Sequence, residues 1–266
     1  MYSVETSMGC GVKHCILYTF ICACSGRHLH MHKNPVHGTL DIHYHLAVIT
    51  CVRDRSLHLD IFESYLAGKL KDIPYVLIVV EQNAGAPFNR GWLMNVGFAF
   101  MMNNSYTRTV KTVIFHDVDM LANSKVKIDV FLHEVVHLST SASQFEFKMP
   151  YESYLSGIVA FQPAFYKKMN GYSNKFWGWG GEDDDLARRV QNSNVKVHRP
   201  FSGNVLSMSD AHTYRENKNH ASNVRILNEP IDPNDGVSNW NLMGEIQDVQ
   251  RHYNEWIIHA RTFRKD

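Results

Sequence analysis

The chain has 266 residues, 44% of them hydrophobic and 20% charged, the make-up of a globular protein with a sizeable core rather than a disordered one. Its 27 basic and 26 acidic side chains nearly cancel, so no electrostatic case for a nucleic-acid partner arises. All five cysteines lie within the first 51 residues, which leaves the later chain without an internal disulfide.

Residues 1–42 read as an N-terminal extension. Its one markedly apolar run, CILYTFICAC (Cys15–Cys24), is half the ~20 residues that a membrane-spanning helix needs. It reads as the apolar core of a signal peptide or the remnant of a truncated anchor, with an ordinary strand or helix as the alternative. A membrane enters the reading only if this segment anchors. Cys22, Cys24 and the histidines of GRHLHMHKNPVHG match no zinc module.

From His43 the pattern changes, and 43–266 reads as a single domain. HYHLAVITCV is a β-branched run suited to a buried strand. RSLHLDIFESYLAGKL carries apolar residues at helical spacing and closes near Gly68 and Lys69. YVLIVVEQN predicts a second buried strand, NRGWLMNVGFAFMMNN a helix, and KTVIFHDVD a third strand that runs into carboxylates. Strands and helices in alternation predict an α/β fold with a doubly wound, mainly parallel sheet. In such a sheet ligands collect outside the carboxyl ends of the strands. PAFYKKMNG predicts a short helix closed by Gly171. GEDDDLARRVQNSN predicts a helix whose first turn carries Glu182 to Asp185, where unpaired amides and the dipole tolerate negative charge. Past VKVHRP the chain becomes polar and irregular, and it ends in EWIIHARTF, a late strand.

Asp117 and Asp119 in FHDVDM are two apart at a strand end, so both are expected to point to one side and converge on a cation. Hard oxygen donors suit magnesium or manganese, the usual partners of diphosphates. Alone, an Asp-x-Asp pair is better explained by a solvated turn after a strand, so the metal reading needs support elsewhere. LSMSDAHTYRENKNH adds Asp210 and His212 in a polar loop, and a carboxylate with an imidazole would complete a metal site. A competing pattern is LHEVVHL, in which His133, Glu134 and His137 spell the zinc-protease motif. That chemistry needs a helix to bring both histidines to one face, and the β-branched VKIDVF before it argues against one. A zinc metallopeptidase is therefore the remote alternative.

Four stretches stand in order along the chain: FNRGWLMNVGF (Phe88–Phe98), FHDVDM (Phe115–Met120), PYESYLSG (Pro150–Gly157) and FWGWGGEDDD (Phe176–Asp185). Together they resemble the β-1,4-galactosyltransferase family, from about Leu46 to about Arg225. YSNKFWGWGGEDDDLARRV, with His116 before Asp117, is similar to the branch that galactosylates xylose in the proteoglycan linker.

The resemblance implies a GT-A-type fold and inverting, manganese-dependent transfer of galactose from UDP-galactose to a hydroxyl of an acceptor sugar. It implies a glycoprotein or proteoglycan acceptor and the Golgi lumen or secretory pathway as the place of action. Arg53, Arg55, Phe88, Arg90, Asp117 and Tyr154 would contact the donor, with Tyr154 standing where a tyrosine accompanies galactose and a smaller aliphatic N-acetylgalactosamine. Trp179 would close over the donor, Glu182 would help to bind the acceptor, and Asp183 would be the base. Tyr151, Tyr154, Trp179, Glu182 and Asp183 would line the acceptor side. Asp119 and His212 would hold the metal. Family members add a methionine three residues before that histidine or a second histidine two after; here these are Ser209 and Tyr214, and Asp210 is taken as the partner. Transfer of N-acetylgalactosamine and a non-catalytic sugar- or nucleotide-binding relative are the alternatives. The implied roles require Asp117, Asp119, His212 and Asp183 to surround one cavity.

Overall fold

Every residue of β1 (Leu46–Val52) is buried, as its apolar run demands of a strand covered on both faces. The computed structural model describes residues 43–201, 203–208 and 217–264, so the expected extension over 1–42 lies outside the described residues. After β1 come α1 (Ser56–Lys69), β2 (Tyr75–Gln82), α2 (Arg90–Asn103), β3 (Thr112–His116), β4 (Met120–Ala122), β5 (Val135–His137) and β6 (Ile158–Phe161). The chain continues through α3 (Pro163–Lys168), α4 (Glu182–Asn192), β7 (Val205–Ser207), α5 (His220–Asn228), β8 (Gly244–His252) and β9 (Glu255–Thr262).

Seven strands form one sheet in the order β5-β6-β3-β1-β2-β9-β8, and β4 pairs with β7 in a small antiparallel ribbon. The four central strands, β3-β1-β2-β9, run parallel, while β6, β5 and β8 are antiparallel to their neighbours. Alternate residues of β1 serve opposite faces, as a strand's period of two requires. Ala47, Ile49 and Cys51 pack with Trp92, Val96 and Phe98 of α2, whereas Leu46, Val48 and Val52 pack with Phe62 and Leu66 of α1. α2 is buried at every position from Gly91 to Ala99, the mark of a helix enclosed by its own protein. A Cβ at Gly97 would stand 2.6 Å from Ile49 Cγ2, so a glycine lets α2 press against β1.

The chain leaves β1 through α1 to β2 on one side, then returns through α2 to β3 on the other. The strand order therefore reverses between β1 and β3, and their carboxyl ends open a crevice there. Residues 53–55 and 117–119 sit at that crevice.

Three expectations change. The Asp-x-Asp pair is not on the strand: β3 ends at His116, and Asp117 to Met120 form a turn closed by the Met120 amide on the Asp117 carbonyl (3.2 Å). The HEVVH run is not helical: His133 and Glu134 precede β5, and His137 ends it as a fully buried residue. The imidazole of His133 stacks on His198 at 4.1 Å, so the two motif histidines do not share a helical face and the metallopeptidase reading falls. The polar C-terminal stretch contains α5 and a hairpin rather than irregular chain alone. EWIIHARTF is indeed a strand, β9, which extends the sheet beside β2. β8 escaped sequence reading because this edge strand buries only Gly244 and so shows no apolar alternation.

Candidate functional site

Two arginines follow β1 and two aspartates follow β3, and the crevice brings the pairs together. Arg55 Nη1 lies 2.8 Å from Asp119 Oδ2. Arg53 donates to the Ala86 carbonyl at 2.6 Å, and its guanidinium lies 5.4 Å from the centroid of the Phe88 ring.

Arg90, the first residue of α2, stands at the centre. Its position follows from the helix cap: the Asn89 side chain accepts from the Trp92 amide at 2.9 Å and donates to the Asn174 carbonyl at 2.7 Å. Arg90 Nε donates to Asp117 Oδ1 at 2.8 Å, and Nη2 lies 2.7 Å from the same oxygen at an angle that makes an ion pair rather than a hydrogen bond. Nη1 reaches Asp183 Oδ1 at 2.9 Å and the Tyr172 hydroxyl at 3.1 Å. Burial opposes the charge on Arg90, but Asp117 and Asp183 outweigh it and hold the guanidinium protonated more firmly than usual. Burial pushes the Asp117 carboxyl up to about 6, with Arg90 pulling the other way.

The four consecutive carboxylates of the EDDD run have four different surroundings. Gly181 precedes them at φ 98°, and a Cβ there would stand 2.8 Å from the Phe176 ring. Glu182 is 7% exposed, and its Oε2 has no hydrogen-bond partner among the described residues. Burial first, and then the neighbouring Asp183 charge, push this carboxyl up to about 8. Asp183 takes the hydroxyl of Ser156 on Oδ2 at 2.7 Å, with Arg90 and, at 3.4 Å, Tyr172 on Oδ1. Asp184 accepts from the half-exposed Tyr151 hydroxyl at 2.7 Å. Asp185 turns inward to Arg189 Nε at 2.6 Å, and Arg189 goes on to the Asp235 carbonyl at 2.8 Å. The charge run is held because each member meets a separate donor set or loses its charge by burial.

Beside it the two tryptophans divide. Trp177 is buried under the Arg264 guanidinium, 4.6 Å from its ring, whereas Trp179 is 69% exposed. The loop backbone is pinned: the Gly178 amide donates to the Phe88 carbonyl at 2.7 Å, and Asn217 Nδ2 donates to the Trp179 carbonyl at 2.6 Å. Asn223 Nδ2 holds the carbonyls of Trp177 and Gly180 at 3.1 and 2.7 Å. Tyr154 is buried, with its ring 5.5 Å from Tyr151.

Of the residues expected from sequence, Arg90, Asp117 and Asp183 meet directly, Glu182 adjoins them, and Arg55 pairs with Asp119. Arg53 and Phe88 reach the tryptophan loop through Gly178. Asp210 and His212 lie outside the described residues, and among the described residues no three metal-binding side chains gather. The donor chemistry nonetheless suits a hard cation. Asp119 offers a carboxylate oxygen at the crevice, and its carbonyl accepts the Met208 amide at 2.7 Å. Ser156 and Tyr172 were missed. Ser156 stands inside the PYESYLSG stretch, but nothing in the spelling tells a hydroxyl aimed at Asp183 from a turn residue.

Two family models match the chain in tandem. The N-terminal region of glycosyl transferase group 7 matches residues 32–129, and the N-terminal domain of galactosyltransferase matches residues 136–213. β-1,4-Galactosyltransferase 5 of Danio rerio is 32% identical over 200 residues, 74% of this chain and 52% of that protein. β-1,4-Galactosyltransferase 6 of Homo sapiens is 36% identical over 157 residues, 58% of this chain and 40% of that protein. The chain thus spans about half the length of the curated relatives it matches. Among solved structures, a mutant of Drosophila β-1,4-galactosyltransferase 7 in complex with manganese, UDP-Gal and xylobiose superposes with a TM-score of 0.66 at 24% identity, covering 84% of this chain and 95% of that one. The catalytic domain of the same enzyme with xylobiose gives 0.67 at 23% identity with the same coverage. The shared fold is the GT-A type.

Proposed function

Since the chain belongs to the β-1,4-galactosyltransferase family, we propose that it is an inverting transferase that moves galactose from UDP-galactose to a hydroxyl of an acceptor sugar. The observation that carries this reading is the meeting of Asp117 and Asp183 on Arg90 at the topological switch of the sheet. Residues 43–266 would act as a single glycosyltransferase domain, in the secretory pathway and there in the Golgi lumen. Among the described residues no helix is long and apolar enough to cross a membrane.

In the proposed reaction the acceptor oxygen bonds to the anomeric carbon as the bond from that carbon to the diphosphate oxygen breaks. UDP leaves with the electron pair, and Asp183 takes the hydroxyl proton. One displacement from the opposite face inverts the configuration, so one base is enough. Arg53 and Arg55 would face the developing negative charge on the diphosphate, where exclusion of water strengthens their effect. Arg90 holds Asp117 toward the donor and Asp183 toward the acceptor. Glu182, neutral at pH 7 with its carboxyl near 8, would donate a hydrogen bond to the acceptor. The exposed indole of Trp179 would cover the sugars and shed water, with Tyr151 and Tyr154 shaping the acceptor side. Asp119 would hold a manganese ion, with His212 and Asp210 as proposed further ligands. Such an ion supplies electrostatic stabilisation of the leaving diphosphate.

Radiolabelled transfer from a panel of UDP-sugars to simple xylosides and N-acetylglucosaminides, with and without manganese, tests the reading. The xylobiose in the related Drosophila structures makes a xyloside the first acceptor to try. Galactose transfer that needs manganese is expected; no transfer from any UDP-sugar would leave a binding protein in its place.

A further inference from the structure

His137, the last member of the HEVVH run, is buried at the end of β5 and takes no part in the reaction above. Its Nε2 lies 3.0 Å from the Ser156 carbonyl oxygen, and because a carbonyl only accepts, that nitrogen carries the proton. Burial pushes its imidazole down to about 4, so the ring is neutral at ordinary pH. Ser139 Oγ donates to the same carbonyl at 2.5 Å, and the Ile158 amide does so at 3.0 Å. The next residue, Gly157, holds φ +79° in a space where a Cβ would meet Met120 Sδ at 2.5 Å. Three donors on one carbonyl and a turn with no spare room fix the backbone of Ser156. From that fixed point its buried hydroxyl donates to Asp183 Oδ2 at 2.7 Å.

We propose that Ser156 is the positioning residue for the carboxylate that takes the acceptor proton, with His137 and Ser139 holding Ser156 in place. The proposal rests on the transfer reaction proposed above. Arg90 and Tyr172 tie one oxygen of Asp183, and Ser156 ties the other, so the plane of the carboxylate is set by donors on both sides. Without the Ser156 hydroxyl the group can pivot about its remaining anchors and lose its aim at the acceptor.

The test is the full chain carrying Ser156→Ala, examined by kinetics and by crystallography. Losing one charge-assisted hydrogen bond is expected to lower kcat about tenfold, with KM for UDP-galactose unchanged. In crystals the Asp183 carboxylate is expected to rotate or split between conformers. An unchanged kcat beside an active parent overturns the assignment, and so does a single unaltered Asp183 orientation. A parent without turnover would remove the galactosyltransfer reading by itself, and the crystallographic readout would still decide the role of Ser156.

Discussion

Arg90 and Asp183 are 93 positions apart in the chain and 2.9 Å apart in the fold. The same guanidinium holds Asp117, so one cation joins the two carboxylates that the proposed reaction needs on opposite sides of the breaking bond. Replacing Arg90 with alanine would leave two partly buried carboxylates without their cation. A loss of about 3 kcal/mol in stability is expected from stranding buried charge, together with loss of transfer. Denaturant unfolding monitored beside the activity assay checks both, and a variant of parental stability would show that the carboxylates find other partners.

Asp183→Asn keeps the shape of the side chain and removes its ability to take a proton. Transfer should fall by roughly 10²-fold or more, while UDP binding measured by calorimetry stays close to the parent. A variant with parental turnover would assign the base to another group.

Glu182 gives a pH dependence with a definite sign. Its carboxyl is raised from 4.5 to about 8 in the fold, so the folded state binds the proton more tightly than the unfolded chain. The stability linked to that proton is fully present below pH 4.5 and is lost as pH rises toward 8. Glu182→Gln removes the titration, so its gain over the parent should grow steadily across that window as the parent's carboxyl is forced to ionise in its buried site. Thermal unfolding at a series of pH values measures it. A constant difference between parent and variant would mean that Glu182 is ionised in the fold.

The two tails of the FWGWGGEDDD motif should separate stability from catalysis. Asp185→Ala takes the nearer carboxylate from Arg189, whose side chain is only 3% exposed and keeps the Asp235 carboxylate at 3.4 Å, and should destabilise the protein by about 2 kcal/mol. Trp179→Ala removes an indole that is 69% exposed, and it should leave stability within about 0.5 kcal/mol while transfer falls. Thermal midpoints and acceptor KM values of both variants decide whether the motif divides in this way.

Asp119→Ala should weaken manganese-dependent UDP binding by about tenfold or more and leave binding in the absence of manganese little changed. His212→Ala is expected to do the same. Equal manganese affinity in the parent and the Asp119 variant would take that residue out of the metal site.

The central sheet was legible because β1, β2 and β3 are buried on both faces and therefore spelled in unbroken apolar runs. The helix at Glu182 was legible because acidic residues crowd its first turn and arginines follow. β8 was not, since an edge strand facing solvent keeps no apolar rhythm. His137 shows the opposite failure: a motif read letter by letter pointed to zinc, whereas strand pairing with Val159 buried the ring. The roles of the candidate residues were legible only through the family's motifs, and the contacts of Ser156 and Tyr172 with Asp183 depend on turns that bring distant segments together. No local spacing encodes such a meeting.

The hairpin of β8 and β9 has a practical consequence. β9 covers the flank of β2, whose Val76 to Val80 are all buried. A version of the protein shortened before Gly244 would bare that flank as an unpaired row of amides and carbonyls along an aliphatic ribbon, an invitation to self-association. Insolubility of such a version would thus follow from an uncovered strand, with the crevice between β1 and β3 blameless.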